Sequence, residues 1–142
     1  ALSEHITLMG LPRAPTIKSA VSEVTECNDV WLSQGGCGWL SAVISINPTS
    51  DDDGRKAIHA AFDGHKSMKM VTVVDSDIDV SCSTRVEWAM MTRWQPDVDT
   101  IILSDQKGSS LDPSQIDGKT AKIGFDATLS PTTDRQPYTS VI

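Results

Sequence analysis

The sequence predicts an α/β fold: one domain, with a mixed β-sheet flanked by helices. Three stretches carry that prediction. Residues 68–93, MKMVTVVDSDIDVSCSTRVEWAMMTR, read as an apolar strand, an acidic turn and a helix. Leu40-Ser41-Ala42-Val43-Ile44-Ser45-Ile46 alternates as a strand does, with Leu40, Ala42, Ile44 and Ile46 to one side. Thr100-Ile101-Ile102-Leu103 is a third, apolar strand run. Strand runs separated by helical periodicity are the pattern of a layered α/β domain.

Along the chain, residues 1–14 contain Gly10 and Pro12 and read as an irregular lead-in. The chain starts at Ala1 rather than methionine, as the end of a domain cut from a longer protein would. Ile17, Ala20, Val21 and Val24 then follow the i, i+3, i+4, i+7 rule for one face of a helix, with Pro15 near its first turn. Val30-Trp31-Leu32 is a short strand, interrupted by Gln34-Gly35-Gly36-Cys37-Gly38. That glycine-rich stretch lacks the lysine and hydroxyl residue of a P-loop, so a tight connection is expected rather than a phosphate cradle. After the Leu40–Ile46 strand, Asp51 to Gly54 form an acidic lead into a helix that carries Ile58, Ala61 and Phe62 inward and stops at Gly64.

In the central unit, Met70-Val71-Thr72-Val73-Val74 is rich in β-branched residues and has little polar alternation, so both its faces should be covered. Asp75, Asp77 and Asp79 follow at every second position. Thr84 and Glu87 have capping-box spacing, and Val86, Ala89 and Met90 fall on one helical stripe. Thr100–Leu103 reads as a buried strand. Residues 104–117, with GSSLDPS at their centre, are a long turn-rich loop of the kind that carries function. A short strand is expected around 121–125, and residues 129–142 as an extended tail.

Composition narrows the function classes. A chain of 142 residues fits one domain, and at that size roughly 70% of the unfolded surface is buried. Net charge is −7, which repels phosphate backbones and argues against nucleic-acid binding. No stretch approaches the apolar length of a membrane span, and residues 1–5 lack the basic-then-apolar order of a signal peptide, so a cytoplasmic location is expected. Cys27, Cys37 and Cys82 are odd in number and lack C-x-x-C spacing, which argues against both a disulfide framework and a zinc site. His59 and His65 are not at the i, i+4 metal spacing.

The acidic triplet opens like a calcium loop, but Val80 stands where that loop needs glycine and Val86 where it needs glutamate. Two readings of Asp75, Asp77 and Asp79 stay open at this point: a Mg2+ site at a strand end, or carboxylates that bond the loop and the following helix. Residues alone give no catalytic acid, base or nucleophile.

Six segments in order resemble the C-terminal part of the UbiD family of (de)carboxylases: GLPRAPTIKSAVSEVT (10–25), VWLSQGGCGWLSAVISI (30–46), VTVVDSDIDV (71–80), VEWAMMTRWQPDVDTIIL (86–103), GSSLDPS (108–114) and KIGFDAT (122–128). The GSSLDPS form is more similar to the archaeal and small-acid branches. The resemblance implies reversible, non-oxidative decarboxylation of an aromatic or α,β-unsaturated acid. It implies prenylated FMN with Mn2+ and K+ in the whole enzyme, the flavin adduct serving as electron sink. It also implies that the flavin site, the metal ligands and a Glu-Arg-Glu proton-transfer set lie in a preceding region, so none of these roles passes to residues here. The expected partners are that flavin-binding part of the same enzyme and further copies in a homo-oligomer. The resemblance assigns this domain to active-site closure and oligomerisation, inactive alone. Ser109, Ser110, Leu111 and Lys122 are the substrate-pocket candidates. Trp88 and Met91, off the Val86-Ala89-Met90 stripe, are the interface candidates. A stand-alone binding or regulatory module and a small Mg2+-dependent enzyme built on the Asp75 cluster are the alternatives.

Overall fold

A computed structural model describes residues 13–139. The elements are α1 (Arg13–Ser22), β1 (Glu26–Leu32), β2 (Ser41–Asn47), α2 (Asp53–Gly64), β3 (Met70–Asp75), α3 (Ser83–Arg93), β4 (Thr100–Lys107) and β5 (Lys119–Ala127), with a 3-10 turn at Gln136–Tyr138. They build a five-stranded sheet in the order β1-β2-β3-β5-β4. The three inner strands are parallel, and each edge strand is antiparallel to its neighbour, so the sheet is mixed as predicted.

The alternation read from the sequence sorts the core into two layers. Ala42, Ile44 and Ile46 of β2 and Val71 and Val73 of β3 face α1 and α2, where Ile17, Val21, Ala57, Ile58, Ala61 and Phe62 meet them. The opposite face presents Val43, Val74 and Ala127 to Val86 and Ala89 of α3. Because β3 is central and has a layer on each side, its residues from Val71 to Asp75 are all buried, which is why the run lacks polar alternation.

Close packing explains two glycines. A Cβ on Gly64 would lie 2.6 Å from the Ala20 Cβ, so the last residue of α2 is small to let α1 approach. Its place at the helix end is as expected, but the reason is packing rather than a left-handed cap. In the 34–38 turn it is Cys37 and Gly38 that take positive φ, at 58° and 74°, and Gly36 lies tight against Ser41. The turn joins β1 to β2 as a tight connection.

Two expectations are corrected. The Thr84–Glu87 capping box does not form. Helix α3 begins at Ser83 with Cys82 as its cap and no side-chain cap bond, and the first turn closes through Val86 N–H to the Cys82 carbonyl. The Thr100–Leu103 run is not a buried strand. It belongs to β4 at the sheet edge, where only Ile101 is buried and Ile102 is 65% exposed, because β4 pairs with β5 alone. The tail expected from residue 129 carries turns at 131–133 and the 3-10 turn Gln136–Tyr138 among its described residues, and it is tied down at its start: Leu129 is buried and its N–H donates to Asp75. The lead-in lies outside the described residues except for its last two, which open α1.

Candidate functional site

The candidates from the sequence fall at opposite edges of the sheet. Asp75, Asp77 and Asp79 follow the C-terminal end of β3. The GSSLDPS loop packs at the other end, against Lys69, the residue before β3 begins.

At the C-terminal edge the three carboxylates part ways. Asp75 is buried; its Oδ2 accepts from Arg93 Nη1 at 2.8 Å and from the Leu129 N–H at 3.1 Å, and its Oδ1 from Arg135 at 3.4 Å. Asp77 takes both Arg93 terminal nitrogens at 2.9 Å, and that hydrogen bonding holds its carboxyl below the ordinary range. Asp79 turns outward to the Ser81 N–H and hydroxyl, which lower its pKa. Arg93 also donates to the Tyr138 carbonyl and lies 5.3 Å from the Trp88 ring, so the guanidinium is enclosed. The network straps the segment after β5 across the strand ends. Of these carboxylates only Asp79 bonds within the loop; Asp75 and Asp77 pair instead with arginines from the end of α3 and from the segment after β5, and no side chain caps the start of α3. Among the described residues no three His, Cys, Asp or Glu side chains come together in a way that could hold a metal ion. The Mn2+ implied by resemblance therefore finds no matching donor set there.

Beside this edge, Asp53 turns back to the Thr49 and Ser50 N–H groups and hydroxyls, and those bonds, the Thr49 N–H foremost, lower its pKa. Asp126 sits against Gly54 at the start of α2 and accepts from the Thr128 N–H and hydroxyl. Burial pushes its carboxyl up.

At the N-terminal edge, Ser109 Oγ accepts from Trp39 Nε1 and from the Leu111 N–H, both at 3.2 Å. Lys69 pairs with Asp112 at 3.1 Å and reaches Ser114, while the Ser114 hydroxyl and N–H hold the Asp112 carboxyl down. The loop is thus pinned at 109 and 112, and Ser110 and Leu111 project outward, Leu111 56% exposed. Lys122 does not join them. It is buried under α2, where it donates to the Lys66 carbonyl and lies 5.5 Å from the Phe62 ring; burial lowers its pKa. Trp88 is half-buried on the α3 layer, and Met91 is 65% exposed.

Sequence reasoning missed Arg93 and Arg135, which define the acidic cluster, and the Trp39–Ser109 and Lys69–Asp112 pairs, which are 70 and 43 residues apart. The one local signal was a basic residue in the last turn of the helix that follows an acidic strand end.

The chain matches the family of the 3-octaprenyl-4-hydroxybenzoate carboxy-lyase C-terminal domain over residues 6–127. It is 48% identical over 126 residues to the anhydromevalonate phosphate decarboxylase of Aeropyrum pernix, covering 88% of this chain and 29% of that protein. It is 48% identical over 130 residues to the protein of the same name from Methanocaldococcus jannaschii, covering 89% and 31%. Among solved structures, the UbiD-class enzyme HmfF from Pelotomaculum thermopropionicum, in complex with FMN, superposes with a TM-score of 0.93 at 34% identity, covering 98% of this chain and 32% of that one. The chain therefore spans about three-tenths of the length of the curated relatives it matches.

Proposed function

This chain belongs to the UbiD C-terminal domain family, and from that membership we propose that it works as part of a decarboxylase acting on a small phosphorylated, unsaturated acid. The observation that carries the proposal is the 48% identity to two archaeal anhydromevalonate phosphate decarboxylases across nearly nine-tenths of the chain. In this reading prenylated FMN, Mn2+ and K+ belong to the larger part of the enzyme, which binds the reacting acid. The present domain closes the pocket and contributes to assembly. Ser110 and Leu111 are the side chains it offers to the substrate, because the Ser109–Trp39 and Asp112–Lys69 contacts hold the loop while leaving those two outward. A loop pinned at both sides can present an apolar side chain to a closed pocket with little loss of conformational freedom. Trp88 and Met91 belong to the assembly surface in this reading.

The test is CO2 release from anhydromevalonate phosphate by a full-length protein, built by exchanging this chain for the matching three-tenths of the Aeropyrum pernix relative. Decarboxylation is expected there, with neither CO2 release nor flavin absorbance from the 142-residue chain alone. Stoichiometric flavin on the isolated chain, or an inert full-length protein with its cofactor loaded, overturns the proposal.

A further inference from the structure

The Ser109 hydroxyl has its accepting side filled from within the domain. Its oxygen accepts two N–H groups, the Trp39 indole and the Leu111 amide, each at 3.2 Å. Trp39 is 4% exposed, so packing fixes where its indole N–H points. The backbone is held as well: the Ser109 carbonyl accepts from the Asp112 N–H at 3.1 Å, and the Gly108 N–H donates to the Gly118 carbonyl at 2.8 Å. A serine hydroxyl has two lone pairs and one proton. With both lone pairs taken, it acts only as a donor, and the tetrahedral oxygen aims its proton away from both N–H groups. Among the described residues no acceptor takes that proton; the hydroxyl bonds only to the two N–H donors. Ser109 is half-buried rather than enclosed, which leaves the proton open to a molecule outside the domain.

The surrounding loop is electrically quiet in an acidic chain. Residues 108–116 carry a single charged side chain, Asp112, which is 4% exposed and paired with Lys69 at 3.1 Å. An anion can approach here without meeting a bare carboxylate, although the chain carries −7 overall. The outward side chains, Ser110 and Leu111, neither take up nor give a proton near neutral pH. Loss of CO2 leaves an electron pair on carbon that a delivered proton must fill, so this loop suits the end of the acid that does not react. We infer that the Ser109 hydroxyl donates to a phosphate oxygen of the bound acid, with Trp39 as the positioning residue that keeps it a donor. This rests on the reading that the chain works within a decarboxylase of a phosphorylated acid, and it assigns the phosphate end to this domain. A donor whose direction is already fixed binds a charged oxygen with little loss of rotor freedom, and an acid without the phosphate leaves the proton unmatched.

The test compares the phosphorylated acid with the same acid lacking its phosphate, both on the full-length exchange protein. Ser109→Ala should lower kcat/KM for the phosphorylated acid about ten- to a hundred-fold, the worth of a hydrogen bond to a charged group, and leave it unchanged for the other acid. Ser109→Thr keeps the hydroxyl and should restore most of the loss. Trp39→Phe should lower the preference for the phosphorylated acid, and should lower it no further when Ser109 is already alanine. Phosphorus NMR of the acid bound to the cofactor-free full-length protein reads the contact without turnover; the bound resonance should move in Ser109→Ala. An equal loss for both acids means that Ser109 only shapes the loop, and overturns the inference. Where the acid without phosphate turns over too slowly to compare, the resonance decides, and an unmoved one overturns it. If CO2 is released and Ser109→Ala changes neither the preference nor the resonance, the inference fails and the decarboxylase reading stands. If the resonance moves in a full-length protein that releases no CO2 with its cofactor loaded, the phosphate contact stands and the decarboxylase reading fails.

Discussion

Removing the Asp75 carboxylate should cost this domain a large part of its stability, and the structure says how much. The side chains of Asp75 and Arg93 are 2% and 1% exposed, and they meet at 2.8 Å. Breaking a buried pair from one side typically costs about 3–5 kcal/mol, since the partner charge stays buried and unmatched. Two features adjust that figure. Asp77 still offers Arg93 two bonds at 2.9 Å, so the guanidinium is not left alone and the lower end applies. Arg135 is 46% exposed and adds under about 1 kcal/mol as a screened pair. Asp75→Ala should therefore lose about 3 kcal/mol, with a further contribution from the unpaired Leu129 N–H. Urea denaturation followed by tryptophan fluorescence measures it, and the slope with denaturant should not change. A double-mutant cycle with Arg93→Met should then show strong coupling, the double variant being more stable than Asp75→Ala alone, because no buried charge is stranded. Trypsin should also cut after Arg135 faster in Asp75→Ala, since the segment after β5 loses its strap. A loss under about 1 kcal/mol, or strict additivity in the cycle, would refute the claim that this charge pair holds the edge together.

Three further outcomes follow from the same structure. Gly64→Ala should destabilise by about 1–3 kcal/mol, because its methyl would press on the Ala20 Cβ, and Ala20→Gly should restore most of the loss in thermal melts. Asp126 is an acid whose folded pKa is raised by burial, so it favours folding below its unfolded value of 3.8 and opposes it as pH climbs above that value. Asp126→Asn should accordingly raise the melting temperature at pH 7 and lose its advantage below pH 3.8, provided the amide oxygen keeps the Thr128 bonds. Asp112→Asn should speed amide hydrogen exchange at Ser114, whose N–H the carboxylate now holds at 2.9 Å; unchanged exchange there would mean the Lys69–Asp112 tie does not fix the loop.

Periodicity by itself determined the strand–helix order, the central place of β3 and the inward sets of β2 and α2, because each of those is a matter of which side chains lie on one face of a local element. It also set Ile17 and Val21 on the buried side of α1. The position of β4 was not legible: an apolar run of four looks the same in the middle of a sheet and at its rim, and only pairing with β5 alone leaves Ile102 in solvent. The candidate residues were visible as chemical types but not as contacts. Three aspartates in sequence signal a cation, and the fold supplies two arginines from 18 and 60 residues away to be that cation. Lys122 shows the same limit in reverse, since one step along β5 decides whether its amine meets the loop or turns under α2 to the Lys66 carbonyl. Local pattern is governed by short-range geometry and is written in the chain; which charge meets which is settled by packing between elements far apart in sequence.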